Sequence, residues 1–133
     1  MNKVFILFIF FLSTGCLSIG SSHDEPDPTP IIESVVIYET PNGDNIIDYS
    51  NDREDSAKIL INGKNFIDLS IKLIHIEKGY EISPYKIDLI NSSQVICNIS
   101  NWEIMNGTGV WLIRAKNFNS EGWSTENVTI TIY

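Results

Sequence analysis

Ile59-Leu60-Ile61-Asn62-Gly63-Lys64-Asn65-Phe66 is the stretch that decides the fold. In an extended chain successive side chains alternate between faces, so Ile59 and Ile61 share one side and Leu60 and Asn62 the other. With Ile59 and Ile61 turned to a core, the run is a half-buried strand. Gly63 then permits a turn with positive φ, and Asn65 tolerates left-handed geometry. Phe66 returns to plug the end of the core. All of these are folding roles.

The same period of two recurs on both sides. Val128, Ile130 and Ile132 face one way, with Thr129 and Thr131 opposite. Trp111, Ile113 and Ala115 alternate with Arg114 and Lys116. Short apolar alternations separated by turn residues predict strands over 31–38, 57–62, 70–77, 84–90, 93–99, 109–116 and 126–132. β-Branched residues, isoleucine above all, suit such pleated surfaces. About seven short strands in one domain's length read as an all-β sandwich. The only helical expectation is one turn over Asn101-Trp102-Glu103-Ile104-Met105.

Some of these residues carry a family resemblance. Pro30-Ile31-Ile32-Glu33-Ser34-Val35 looks like the opening strand of the IPT/TIG family of immunoglobulin-like domains. Ile59 to Phe66 looks like that family's second strand and following turn. Asn117, Gly122 and Ser124 fit its last connection. The resemblance covers about residues 30–133 and implies an immunoglobulin-like sandwich, without implying a function. The chain departs from the family where Thr40 to Ser56, rich in Asp and Asn, separate the first two strands. Antibody domains join their sheets by a disulfide, whereas here the inward positions carry isoleucine.

The chain starts Met1-Asn2-Lys3 and continues with the apolar run Val4 to Leu12. A cationic start and a short apolar run are the marks of an export signal. The run falls short of the roughly 20 residues that span a bilayer. Leu12-Ser13-Thr14-Gly15-Cys16 resembles the lipobox of bacterial and archaeal lipoproteins. That resemblance implies cleavage after Gly15 and a diacylglycerol on the Cys16 sulfur; Ser13 departs from the usual Leu. An ordinary signal peptide with an incidental cysteine is the alternative. The expected organisation is a signal peptide over 1–15, a lipidated cysteine and flexible tether over 16–30, and the β domain over 31–133. The tether holds three prolines with Ser, Gly and acids, and its reach is on the order of 20 Å. Exported, the chain would be lipid-anchored at the cell membrane or envelope.

The formal net charge is −8, and losing residues 1–15 removes Lys3 and no acid. So acidic a chain is a poor partner for nucleic acid. Of the two cysteines, Cys97 sits in the alternation Val95-Cys97-Ile99, as a buried small hydrophobe or else a reactive thiol. Asp44, Asp48, Asp52, Glu54 and Asp55 bring hard oxygens together in the acidic insert. Asp44, Asp48, Asp52 and Asp55 form a candidate weak calcium site, although the spacing is not that of an EF-hand and a solvated loop is the plainer reading. No other cofactor is implied. His23 lies in the tether and His75 in the third strand, apart from any marked serine, and no phosphate loop, zinc motif or nucleophile elbow occurs. The chain is therefore expected to be non-catalytic.

Trp102, Phe118, Trp123 and Tyr80 fall in connections at the ends of the sandwich, where they cap the core or contact a ligand. Four N-x-Ser/Thr sequons occur, at Asn91, Asn98, Asn106 and Asn127, with Asn98 and Asn127 placed in strands. The functional expectation is a cell-surface lipoprotein displaying an immunoglobulin-like binding or spacer module to an envelope protein or glycan. The alternatives are a carbohydrate-binding accessory module using exposed aromatics and an assembly subunit pairing through a sheet edge.

Overall fold

A computed structural model of the chain describes residues 25–40, 46–47, 57–100 and 107–133. Among the described residues eight strands run in chain order: β1 (Ile31–Glu39), β2 (Ala57–Lys64), β3 (Leu69–His75), β4 (Glu81–Ile82), β5 (Lys86–Asn91), β6 (Gln94–Ile99), β7 (Gly109–Asn117) and β8 (Thr129–Ile132). They form two antiparallel sheets of four, ordered β1-β2-β6-β5 and β4-β3-β7-β8. Their inward faces share one core, as in a β-sandwich. The strand beyond the expected seven is β4. Its two residues pair with Leu73 and Ile74, and a strand that short has no period to read. The third strand stops at His75 rather than 77, because the chain turns there and Gly79 N–H donates to His75 O at 2.8 Å. The expected helical turn at 101–105 lies outside the described residues.

The alternations sort as their period requires. Ile59, Ile61, Trp111, Ile113 and Ala115 are fully buried, and Ile130 and Ile132 join them. Phe66 closes the end of the core. Asn65 has the left-handed backbone expected of it, at φ 62°. Gly63 does not: it is an ordinary strand residue paired with Ile32. Close approach explains the glycine instead. A Cβ there would overlap the Ile31 carbonyl oxygen and lie 2.6 Å from Phe66 Cζ.

Two segments outside the expected strands are tied into the fold. Ile47, within the acidic insert, is completely buried, bridges Ile132 in parallel, and accepts the Tyr133 N–H at 2.9 Å. The end of the expected tether, residues 25–30, also docks. Asp27 N–H donates to Asn119 O at 3.0 Å, and Pro30 is buried. Asn117 organises this end of the sandwich. Its Nδ2 donates to Pro28 O at 2.8 Å and Asn65 O at 2.6 Å, and its Oδ1 accepts Ile67 N–H at 3.0 Å. One buried amide thus joins the N-terminal segment, the β2–β3 turn and β7, with every polar atom used.

Cys97 lies on the inward face of β6, fully buried, and burial pushes its thiol up to about 12. The thiolate is the reactive form, so Cys97 is inert in the native chain. It should resist a thiol reagent until the chain is unfolded; rapid native labelling would contradict this. An unfolded thiol ionises from about 9.0 while the buried one keeps its proton to about 12. The unfolded state therefore binds fewer protons across that interval, and stability falls as pH rises through it. Compared with Cys97→Ala, wild type should lose its relative stability between about pH 9 and about pH 12 in melting curves.

Candidate functional site

Of the four aromatics expected to meet a ligand, the structure places three, and Trp102 lies outside the described residues. Tyr80 is 54% exposed beside the end of β3 at His75, and Phe118 is 83% exposed just after β7 at the other end. Leu69 pairs with Asn117 and His75 with Trp111, so the length of β3, roughly 20 Å, separates these two rings. They do not form one platform. Trp123 is half-buried on the solvent side of the β4-β3-β7-β8 sheet, with Lys72 Nζ 4.5 Å from its ring centroid. Lys72 also pairs with Glu81 at 3.0 Å, and Glu81 neighbours Tyr80. Lys72 thus links the Trp123 ring to Glu81 across that sheet, whereas the Tyr80 ring packs edge-on toward the inward-facing His75, centroids 6.3 Å apart.

At the Tyr80 end is an open cleft of about 460 Å³, lined by Lys78, Tyr80, Glu81, Ile82 and Trp111. His75 sits beneath it, almost fully buried. Lys78 N–H donates to its Nδ1 at 3.2 Å, so Nε2 carries the proton and donates to Thr108 O at 2.9 Å. The imidazole meets Trp111 edge-on, with centroids 4.8 Å apart, and Trp111 Nε1–H donates to Gly107 O at 2.8 Å. With both ring nitrogens used, His75 sets the shape of the cleft and presents no free donor or acceptor to it.

The solvent faces of the two sheets differ in charge. On β1-β2-β6-β5 each lysine has a carboxylate: Lys58–Glu39 at 2.8 Å, Lys64–Glu33 at 3.1 Å and Lys86–Asp88 at 3.1 Å. The hydrogen bond to Glu39 raises the Lys58 ammonium above its usual value. A ladder of side chains runs across this face, with Asn62 Nδ2 donating to Ser34 Oγ at 3.2 Å and Gln94 Nε2 to Asn62 Oδ1 at 3.1 Å. On β4-β3-β7-β8, Lys72 and Arg114 are direct cross-strand partners, and Lys116 lies two residues along on the same face. Arg114 Nη1 donates to the Glu126 carbonyl oxygen. Among the described residues, Arg114 and Lys116 have no carboxylate partner. Sequence reading placed Arg114 and Lys116 outward but missed their meeting with Lys72, since only the β3–β7 register creates it.

The calcium candidates Asp44, Asp48, Asp52 and Asp55, with Glu54, lie outside the described residues, as do Cys16, His23 and Asn106. Among the described residues no group of three or more His, Cys, Asp or Glu could hold a metal ion. Of the sequons, Asn91 is exposed, whereas Asn98 is buried and donates to Tyr85 OH at 3.3 Å. Asn127 is exposed ahead of β8 rather than within a strand.

No protein-family model matches the chain, and no curated protein matches it.

Proposed function

We propose that this chain is an exported, non-catalytic surface lipoprotein, anchored through Cys16, whose immunoglobulin-like domain presents a binding or spacer module to an envelope protein or glycan. The observation that carries this reading is the succession along the chain. The apolar run Val4 to Leu12 leads to Gly15-Cys16, and an all-β domain follows. The sheet orders β1-β2-β6-β5 and β4-β3-β7-β8 support the immunoglobulin-like assignment, because ABED opposite CFG is the order of such sandwiches, with β4 as an added strand beside C. The resemblance of Ile59 to Phe66 to IPT/TIG domains points the same way. Two acyl chains suffice as an anchor, at about 0.8 kcal/mol per buried CH₂.

Intact-mass analysis of the mature chain tests the anchor. The expected N-terminal residue is Cys16 carrying a diacylglyceryl group, with both cleavage and lipid lost in Cys16→Ser. A chain beginning elsewhere, or an unmodified Cys16, would overturn the reading.

A second reading, pairing through a sheet edge, is favoured by the seam between β1 and β8. Ile113 N–H donates to Val128 O and Tyr133 N–H to Ile47 O, so alternate residues of β8 turn their backbone away from β7. By that parity Thr129 faces a groove of about 420 Å³ whose apolar wall includes Val35, Ile37 and Ile130, while the bridge to Ile47 takes up the far end of this edge. An extended segment could add there as a strand. Light scattering of the full chain in detergent would reveal self-pairing as a dimer mass; a monomer at all concentrations would exclude self-pairing.

A further inference from the structure

We propose that the solvent face of the β4-β3-β7-β8 sheet, around Arg114, Lys116 and Trp123, is a binding site for a carboxylated glycan. Like charges directly opposite in a sheet repel, yet Lys72 faces Arg114 across the strands and Lys116 adds a third cation. Acids are not scarce in this chain, which carries 17 of them, and on the other sheet every lysine of the solvent face has one. Lys72 is relieved by Glu81 and the Trp123 ring. Arg114 and Lys116 have neither a carboxylate nor a ring among the described residues, and Arg114 is held only through Nη1 by the carbonyl oxygens of Glu126 and Ile113. A local conflict without internal compensation is expected where a surface serves a ligand.

The geometry suits a carboxylate. The bond from Nη1 to Glu126 O orients the half-buried guanidinium and leaves Nε and Nη2 without a partner among the described residues. That fork matches a carboxylate in two parallel hydrogen bonds, and Lys116 supplies a point charge beside it. Indole and hydroxyl groups flank the cations, with Trp123 on one side and the Ser70 hydroxyl opposite Lys116. An indole ring stacked under one cation and a hydroxyl opposite another suit the apolar faces and hydroxyls of a sugar acid better than an acidic peptide. The positive patch on a strongly acidic molecule also orients it toward an anionic polymer, which the remaining surface repels. This rests on the reading of the domain as a displayed binding module and names its partner class.

The test is titration of the full chain in a neutral detergent with polygalacturonate, dextran, polyglutamate and polyphosphate. Polygalacturonate should bind, and binding should weaken roughly tenfold or more at high salt. Arg114→Gln/Lys116→Gln should weaken it by a similar factor, roughly tenfold, and Arg114→Lys should restore only part of the loss. Lys86→Gln, which removes a cation from the opposite sheet, should leave affinity within about twofold. Failure of polygalacturonate to bind, equal binding of dextran, or indifference to the double substitution would each overturn the site. Equal or tighter binding of polyglutamate or polyphosphate would overturn the glycan assignment. The anchor and the site fail separately. A chain without lipid that binds polygalacturonate keeps this proposal, and a lipidated chain that does not bind it ends it.

Discussion

Gly63→Ala should destabilise the domain by about 3 kcal/mol or more, at or beyond the upper end for overpacking. The added methyl meets the Ile31 carbonyl oxygen, a backbone atom of the neighbouring strand, and Phe66 Cζ lies 2.6 Å away. A flexible side chain could swing aside, but Ile31 is held by pairing between Ile31 and Lys64 and between Ile32 and Gly63. Gly63 N–H is in turn bound to Ser93 O at 2.9 Å on the other side. Relief therefore means opening the β1–β2 ladder at its start and displacing the ring that closes the core. Against a total stability of about 5–15 kcal/mol, that is a large share. Urea unfolding should show a lower midpoint with an unchanged slope. Gly122→Ala is the control, since a Cβ there has nothing within 4 Å, and it should stay within about 0.5 kcal/mol of wild type. A Gly63→Ala midpoint equal to that of Gly122→Ala would show that the contact is not as close as described.

Asn117→Asp should cost about 3–5 kcal/mol at neutral pH, although the two side chains have nearly the same shape. The amide is fully buried and gives both Nδ2 hydrogens to carbonyls, of Pro28 and Asn65. A carboxylate in that place loses both bonds and sets a negative charge against two acceptor oxygens, with only Ile67 N–H to compensate. Its pKa in the folded state would be raised above the unfolded value of about 3.9. The unfolded chain then releases its proton first as pH rises, so the variant loses stability above about pH 4 and recovers part of it below. Wild type has no titrating group at this position. A wild-type-minus-variant difference that stays constant from about pH 3 to about pH 7 would overturn the account. Loss of the Pro28 bond should also free residues 25–30, visible as faster proteolysis there.

Much of the fold was legible because a strand's period is two. Ile59 and Ile61, Trp111 and Ile113, and Ile130 and Ile132 announced their burial by spacing alone. The elements that escaped were too short for a period. Glu81-Ile82 is a strand only because Leu73 and Ile74 offer it an edge, and Ile47 is core only because Ile132 lies beside it. The expected aromatic site shows the same limit. Sequence placed Tyr80, Phe118 and Trp123 in connections, but connections at opposite ends of one strand are indistinguishable without knowing which strands pair. Gly63 was expected to serve a positive φ and instead makes room for a neighbour, because a glycine's letter does not say whether the missing Cβ frees a torsion or clears an approach.

By itself the sequence determined the all-β class and the inward set of the main strands, and it marked Asn65 as able to turn left-handed and Cys97 as lying on an apolar face. These follow from alternation and local backbone preference, which act over a few residues. Tertiary structure alone decided that Asn117 would fasten three segments, that residues 25–30 would dock, and that Lys72 would stand opposite Arg114. Each of these depends on register between strands distant in the chain. Shifting a pairing by one residue exchanges inside for outside and changes which charges meet.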